Sequence, residues 1–66
     1  MNELYIVLES KSWIYFKTKQ KDCSSAYSEF LKTLEDAGIN VDNVKDRPTY
    51  LEVRDSKENV IDKKNM

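Results

Sequence analysis

The chain contains no histidine and only one cysteine, one glycine and one proline. Without histidine it lacks the side chain that most often moves protons and binds metals in enzymes. The sequence also offers no evident base for Cys23 or for a serine, so we expect a protein that is not an enzyme. Phosphate-binding loops need several glycines close together, whereas Gly38 stands alone. We therefore expect no nucleotide site and no cofactor.

The single cysteine limits both redox and metal chemistry. Cys23 cannot form a disulfide within the chain, and no CxxC pair predicts a zinc site. This pattern favours an intracellular, cytoplasmic protein. Cys23 falls on the apolar side of a predicted helix, which is typical of a small buried side chain. The alternative is a reactive thiol, because a helix N-terminus can lower a thiol pKa.

Length and composition predict one small soluble domain. The 66 residues are 35% charged and 39% apolar, near the lower size at which a hydrophobic core alone holds a fold together. We expect the domain to span residues 1–62, with residues 63–66 as a flexible tail. No basic segment followed by a long apolar run is present, so neither a signal peptide nor a membrane span is expected. The carboxylates of the C-terminal half match no calcium-binding loop.

Two runs rich in β-branched and aromatic residues, 3–9 and 13–18, flank the polar segment 10–12 and predict a β-hairpin. A three-residue loop would pair Glu9 with Trp13 and turn Trp13 away from the aliphatic side chains. A loop one residue longer or shorter would turn Trp13 toward them, because a slip of one residue reverses the faces of a strand. We favour the three-residue loop, since it places the lysines outside and the aliphatic residues inside.

Between residues 22 and 37 the apolar spacing becomes helical. The predicted stripe comprises Cys23, Ala26, Tyr27, Phe30, Leu31, Leu34 and Ala37. Asp22 or Ser24 is expected to cap the helix N-terminus, and Gly38 stands where a left-handed residue commonly ends a helix. The stripe is expected to cover one face of a sheet.

The C-terminal half predicts a second hairpin. Residues 39–47 fit either a short strand or one helical turn, and we treat them as a loop closed by Pro48. Residues 49–54 alternate in polarity, and a turn-like segment, 55–59, separates them from a short run, 60–62. The predicted fold is therefore α+β: an antiparallel-dominated sheet in strand-strand-helix-strand-strand order, with one helix packed on one face.

Aromatic residues and lysines alternate from residue 13 onward. If this segment is a strand, one face carries Trp13, Tyr15, Lys17, Lys19 and Lys21. Tyrosines of the neighbouring strands enlarge this face beyond what a small monomer usually exposes. The predicted partner-binding residues are Tyr5, Trp13, Tyr15, Lys17, Lys19, Lys21 and Tyr50.

This face predicts a non-catalytic protein–protein interaction module that binds a protein partner or a second copy of itself. The lysines would steer an acidic partner. The alternative is single-stranded nucleic acid, with bases stacked on the aromatic rings. Against it stand the net charge of −1 and Glu52, expected on the same face. In the third interpretation the lysines only protect an edge strand from pairing, and Trp13 and Tyr15 are packed by the 39–48 loop or by the alternative hairpin register.

In its small size, single domain and lack of catalytic residues, the chain is comparable with the small accessory or inhibitor proteins of phages and other mobile elements. This comparison is an analogy of scale that no residue supports.

Overall fold

The computed structural model describes residues 1–39 and 45–66. Its elements are β1 (Asn2–Leu8), β2 (Trp13–Thr18), α1 (Cys23–Asp36), β3 (Pro48–Arg54) and β4 (Val60–Asn65). The strands pair antiparallel in the order β2-β1-β3-β4, and α1 packs on one face of the sheet. The predicted α+β fold and element order are confirmed. Of the predicted 39–47 loop, residues 40–44 lie outside the described residues.

The core lies between α1 and the two central strands. Alternation along β1 and β3 turns every second side chain toward the helix. The fully buried apolar residues are Leu4, Ile6, Cys23, Ala26, Leu51 and Val53. At the edge of this core, the Phe16 and Phe30 rings meet edge-on with centroids 5.5 Å apart. The helix therefore fixes which side of the sheet is covered.

Both ends of α1 are closed by local hydrogen bonds. Of the two predicted N-caps, Asp22 fills the role: its carboxylate accepts from the Ser25 backbone N–H at 2.8 Å. At the other end Gly38 has φ +78°, and the Ile39 N–H donates to the Leu34 carbonyl at 2.9 Å. Glycine adopts this left-handed conformation without strain, so the predicted helix end is also confirmed.

In the first hairpin the residues pair differently from the prediction, but each side chain lies on the predicted face of the sheet. The predicted pairing of Glu9 with Trp13 is wrong, because Val7 lies opposite Trp13. Lys11 adopts φ +73° and donates its N–H to the Leu8 carbonyl at 3.0 Å, so the chain turns earlier than expected. The two pairings differ by an even number of positions, so Trp13 still points away from the helix.

The last strand is longer than the sequence predicts. Residues 63–65, expected in a tail, continue β4 to Asn65. Lys63 lies opposite Glu52, and the Met66 N–H donates to the Thr49 carbonyl at 2.9 Å. These residues have weak strand propensity, and it is the backbone of β3 that gives them hydrogen-bond partners. A bulge interrupts the β3–β4 register between Val53 and Arg54.

Asp22→Ala is expected to lower the free energy of unfolding by about 1 kcal/mol, because the Ser25 N–H loses its acceptor. Asp36→Ala is the matched control. It removes the same side chain from the C-terminal end, where the helix dipole does not favour a negative charge, so stability should be unchanged or slightly higher. Urea unfolding followed by circular dichroism measures both variants. Equal losses would contradict the capping role.

Candidate functional site

The sheet face opposite α1, here called the open face, carries its side chains in three rows set by the strand pairing. The first row contains Trp13, Val7, Tyr50 and Asn65; the second contains Tyr15, Tyr5, Glu52 and Lys63; the third contains Lys17, Glu3 and Arg54. The rings of the β1–β2 hairpin therefore gather at one corner, Tyr50 continues the first row, and charged groups predominate in the other two rows. The sequence predicted this separation of an aromatic from a charged region only along β2.

Tyr5, Trp13 and Tyr15 form one aromatic cluster. The Tyr5 ring centroid lies 5.5 Å from that of Trp13 and 6.1 Å from that of Tyr15, and the last two are 6.2 Å apart. These separations lie in the range in which aromatic pairs attract one another. Trp13 is 58% and Tyr15 54% exposed, while Tyr5 is half-buried. The rings of Trp13 and Tyr15 thus face solvent, and both pack against Tyr5.

Tyr50 extends the open face beyond the aromatic cluster. It lies opposite Val7, which in turn lies opposite Trp13. The Lys63 ammonium sits 5.0 Å from the centre of the Tyr50 ring, a cation–π arrangement. A shallow depression runs between Tyr50 and the cluster, and Glu52 and Arg54 contribute to its lining. All four predicted aromatic residues therefore share one face.

Glu52 and Arg54 form an ion pair beside the aromatic cluster. The Arg54 Nη2 and Nε atoms donate to the same Glu52 oxygen at 3.0 and 3.2 Å. The Arg54 guanidinium also lies 4.2 Å from the Tyr5 ring centre. The hydrogen bond to Glu52 raises the pKa of Arg54 still further above its ordinary value, because the carboxylate stabilises the guanidinium cation. Arg54 is not among the predicted partner-binding residues, although its spacing from Tyr50 along β3 already indicates that the two residues share a face.

The three predicted lysines do not all lie on the open face. Lys17 does, opposite Glu3. β2 ends at Thr18, so the alternation that was expected to bring Lys19 and Lys21 onto this face does not reach them. Both lie exposed in the connection to α1. Lys63, which the sequence assigned to a tail, is the cation that the open face gains from β4.

Cys23 is a structural residue in this fold. Burial, reinforced by the neighbouring carboxylate of Asp62, raises the pKa of its thiol to about 11. The side chain is fully buried and its thiol is kept protonated, so the structure favours a small structural residue over a reactive thiol at the helix start. The Cys23 backbone N–H donates to Asp62 at 2.7 Å, and this bond lowers the pKa of Asp62. Together the two residues tie α1 to β4.

The shifted Cys23 pKa predicts a specific alkaline sensitivity. The thiol ionises at 9.0 when unperturbed and at about 11 when folded, so the unfolded state releases its proton first. The stability linked to this thiol should be complete below pH 9 and decline between pH 9 and 11. Cys23→Ala is the control, because it retains every lysine and tyrosine. Denaturant unfolding across this range should show the wild-type protein losing more stability than the variant; parallel curves would contradict the shift.

Within residues 1–39 and 45–66, no three histidine, cysteine, aspartate or glutamate side chains are grouped as a metal site requires. In the same part of the chain, no helix combines the length and apolar character needed to cross a bilayer. No family model matches the sequence, and neither a curated protein nor a solved structure matches it. The chemistry of the open face therefore carries the functional argument.

Proposed function

We propose that this protein is a non-catalytic interaction module that binds a protein partner through the open face of its sheet. The observation that carries the proposal is the aromatic cluster, in which Trp13 and Tyr15 are more than half exposed while in contact with Tyr5. Exposed apolar patches of this kind on small domains mark interaction sites.

The residue types of the open face favour a protein as the partner. Tryptophan, tyrosine and arginine dominate the binding energy of protein interfaces, and Trp13, Tyr5 and Arg54 lie in contact here. The rings project from paired strands, and Arg54 is held by both Tyr5 and Glu52. Side chains that are already ordered lose little entropy on binding, so this surface is suited to bind without rearrangement.

The surrounding charges favour an acidic partner. Lys17, Lys19 and Lys21 are exposed at and beyond the end of β2, and residues 10–21 contain four lysines and no acidic residue. By contrast, Arg54 is paired with Glu52, so its charge is largely balanced. The lysines therefore concentrate positive charge at the end of the strand that carries Trp13 and Tyr15, and such a segment raises association rates with negatively charged surfaces.

The same charges weigh against single-stranded nucleic acid. Glu52 stands between Tyr5 and Lys63 in the second row, and Glu3 stands between Lys17 and Arg54 in the third. A strand that stacked its bases on the rings would bring phosphates past these carboxylates. Nucleic-acid sites instead follow the backbone with a continuous positive groove.

Trp13→Ala and Tyr15→Ala are each expected to keep the fold and lose the partner. Removing exposed side chains should change the unfolding free energy by less than about 1 kcal/mol, whereas loss of an interface anchor should weaken binding by about tenfold or more. The measurement is calorimetric titration of a partner captured by the wild-type protein. Ile39→Ala is the matched control, since Ile39 is 50% exposed and follows α1.

Three outcomes would contradict this assignment. If both alanine variants unfold, the rings belong to the core; if both bind the partner normally, the interface lies elsewhere. If a single-stranded oligonucleotide quenches Trp13 emission in a strongly salt-dependent way that Tyr15→Ala abolishes, the open face binds nucleic acid instead.

Replacing Lys17, Lys19 and Lys21 together by glutamate is expected to slow association and to reverse its salt dependence, with little change in the dissociation rate. Replacing Lys32, Lys45 and Lys57 by glutamate is the charge-matched control, because these lysines are exposed elsewhere. Surface plasmon resonance at several salt concentrations separates the two rates. Equal slowing in both triple variants would show that net charge, and not the patch, directs the encounter.

A further inference from the structure

The two edge strands of the sheet differ in how they are protected against pairing with another chain. β4 carries Asp62, Lys63 and Lys64 in succession, and a bulge breaks its register with β3. Charges and bulges are the usual means of protecting an edge. β2 pairs with β1 without a bulge and carries a single charge, on Lys17. The edge formed by β2 is therefore open to pairing.

Large apolar side chains lie exposed on both sides of β2. Trp13 and Tyr15 project from the open face, and Ile14 between them points to the helix side yet remains 42% exposed. Binding through the open face alone does not account for the exposure of Ile14, because Ile14 lies on the other side of the sheet. An apolar strand at an unprotected edge is a template for adding another strand.

The hairpin determines which backbone groups of β2 are directed outward. The Leu8 N–H donates to the Ser12 carbonyl at 2.8 Å, so this pair is hydrogen-bonded across the hairpin. Hydrogen-bonded and non-bonded pairs alternate along antiparallel strands. The N–H and C=O groups of Trp13, Tyr15 and Lys17 therefore point away from β1, toward the edge.

We infer that β2 pairs antiparallel with β2 of a second copy of this chain, with Tyr15 opposite Tyr15 across a twofold axis. Trp13 then lies opposite Lys17 of the second copy. These pairs use every outward-directed group of the strand and form about six N–H···O=C bonds. The two four-stranded sheets join into one, with both helices on the same side.

The side chains complement one another in this register. On the open face, Trp13 meets the ammonium of Lys17 from the second copy, a cation–π pair, and the two Tyr15 rings are neighbours. On the helix side, Ile14 meets Phe16. Within β2 no two like charges face each other, because Lys17 is its only charged residue and lies opposite Trp13. A register centred on Ile14 or Phe16 retains only two of the three hydrogen-bonded pairs, so the Tyr15-centred register is the one that the sequence fits.

This inference goes beyond the proposed function, because the hydrogen bonds are made by the edge of the sheet and only the border of the open face, at Trp13, Tyr15 and Lys17, takes part in the contact. The twofold axis brings two aromatic clusters side by side on one surface. A partner with two matching sites would then gain from simultaneous binding. For a domain of this size, a second copy also adds stability that the monomer core cannot supply.

Amide hydrogen exchange followed by NMR, with sedimentation equilibrium on the same samples, tests the inference on the unaltered protein. From low micromolar to millimolar concentration, the mass should rise from 7.8 kDa toward twice that value. Over the same range the Trp13, Tyr15 and Lys17 amides should become protected from exchange. The Ile14 and Phe16 amides, directed toward β1, are the internal control and should be protected throughout.

A pair of matched variants separates the edge from the open face. Tyr15→Lys sets two ammonium groups opposite each other at the axis and should raise the dimer dissociation constant by about tenfold. Tyr50→Lys makes the same change on the open face, two strands away from the edge, and should leave dimerisation unchanged. Exchange protection of the unaltered protein decides the matter if a variant does not fold.

A protein that stays monomeric at millimolar concentration would overturn the inference. So would a dimer in which the Trp13, Tyr15 and Lys17 amides still exchange freely, or one that both lysine variants weaken equally. The last two results would point to a face-to-face dimer.

Discussion

A four-stranded sheet has two faces, and the described part of this chain has one helix with which to cover them. α1 takes the face that carries Leu4, Ile6, Leu51 and Val53. Because side chains alternate along each strand, this choice determines the other face at once. Tyr5 must lie there because Leu4 and Ile6 do not. The surface that we propose as functional is thus the necessary counterpart of the core.

The open face has to stay ordered without a helix, and its own side chains supply the contacts. Tyr5 lies against Trp13 and Tyr15 on one side and against the Arg54 guanidinium on the other. Arg54 in turn neutralises Glu52, which is only 8% exposed. A carboxylate so enclosed is costly unless it is paired. The charged and aromatic parts of the face are therefore joined through Arg54, and the rings are preorganised as a consequence.

Alternation and helical spacing predicted the element order, the limits of α1 and the facing of Trp13, because each depends on a local pattern. What failed depended on backbone geometry or on contacts distant in sequence. The positive φ of Lys11 carries no glycine or asparagine signal, so the hairpin pairing was misplaced. The end of β4 follows from pairing with β3 and not from its own residues. Alternation places Arg54 on the same face as Tyr50, but its contact with Tyr5 joins two strands whose adjacency the sequence does not state.

The fully buried apolar side chains of this domain are aliphatic or small and its largest one, that of Trp13, is exposed, which favours a binding role for the exposed surface. In a small domain the largest apolar side chains contribute most to stability when buried. Here the fully buried set consists of aliphatic and smaller residues, while Trp13 and Tyr15 lie outside. Ile14 is also exposed, although it points to the helix side. A sequence shaped by the stability of the monomer alone would place the tryptophan inside. Its position outside, held against Tyr5, is what the proposed role of the open face in partner binding requires.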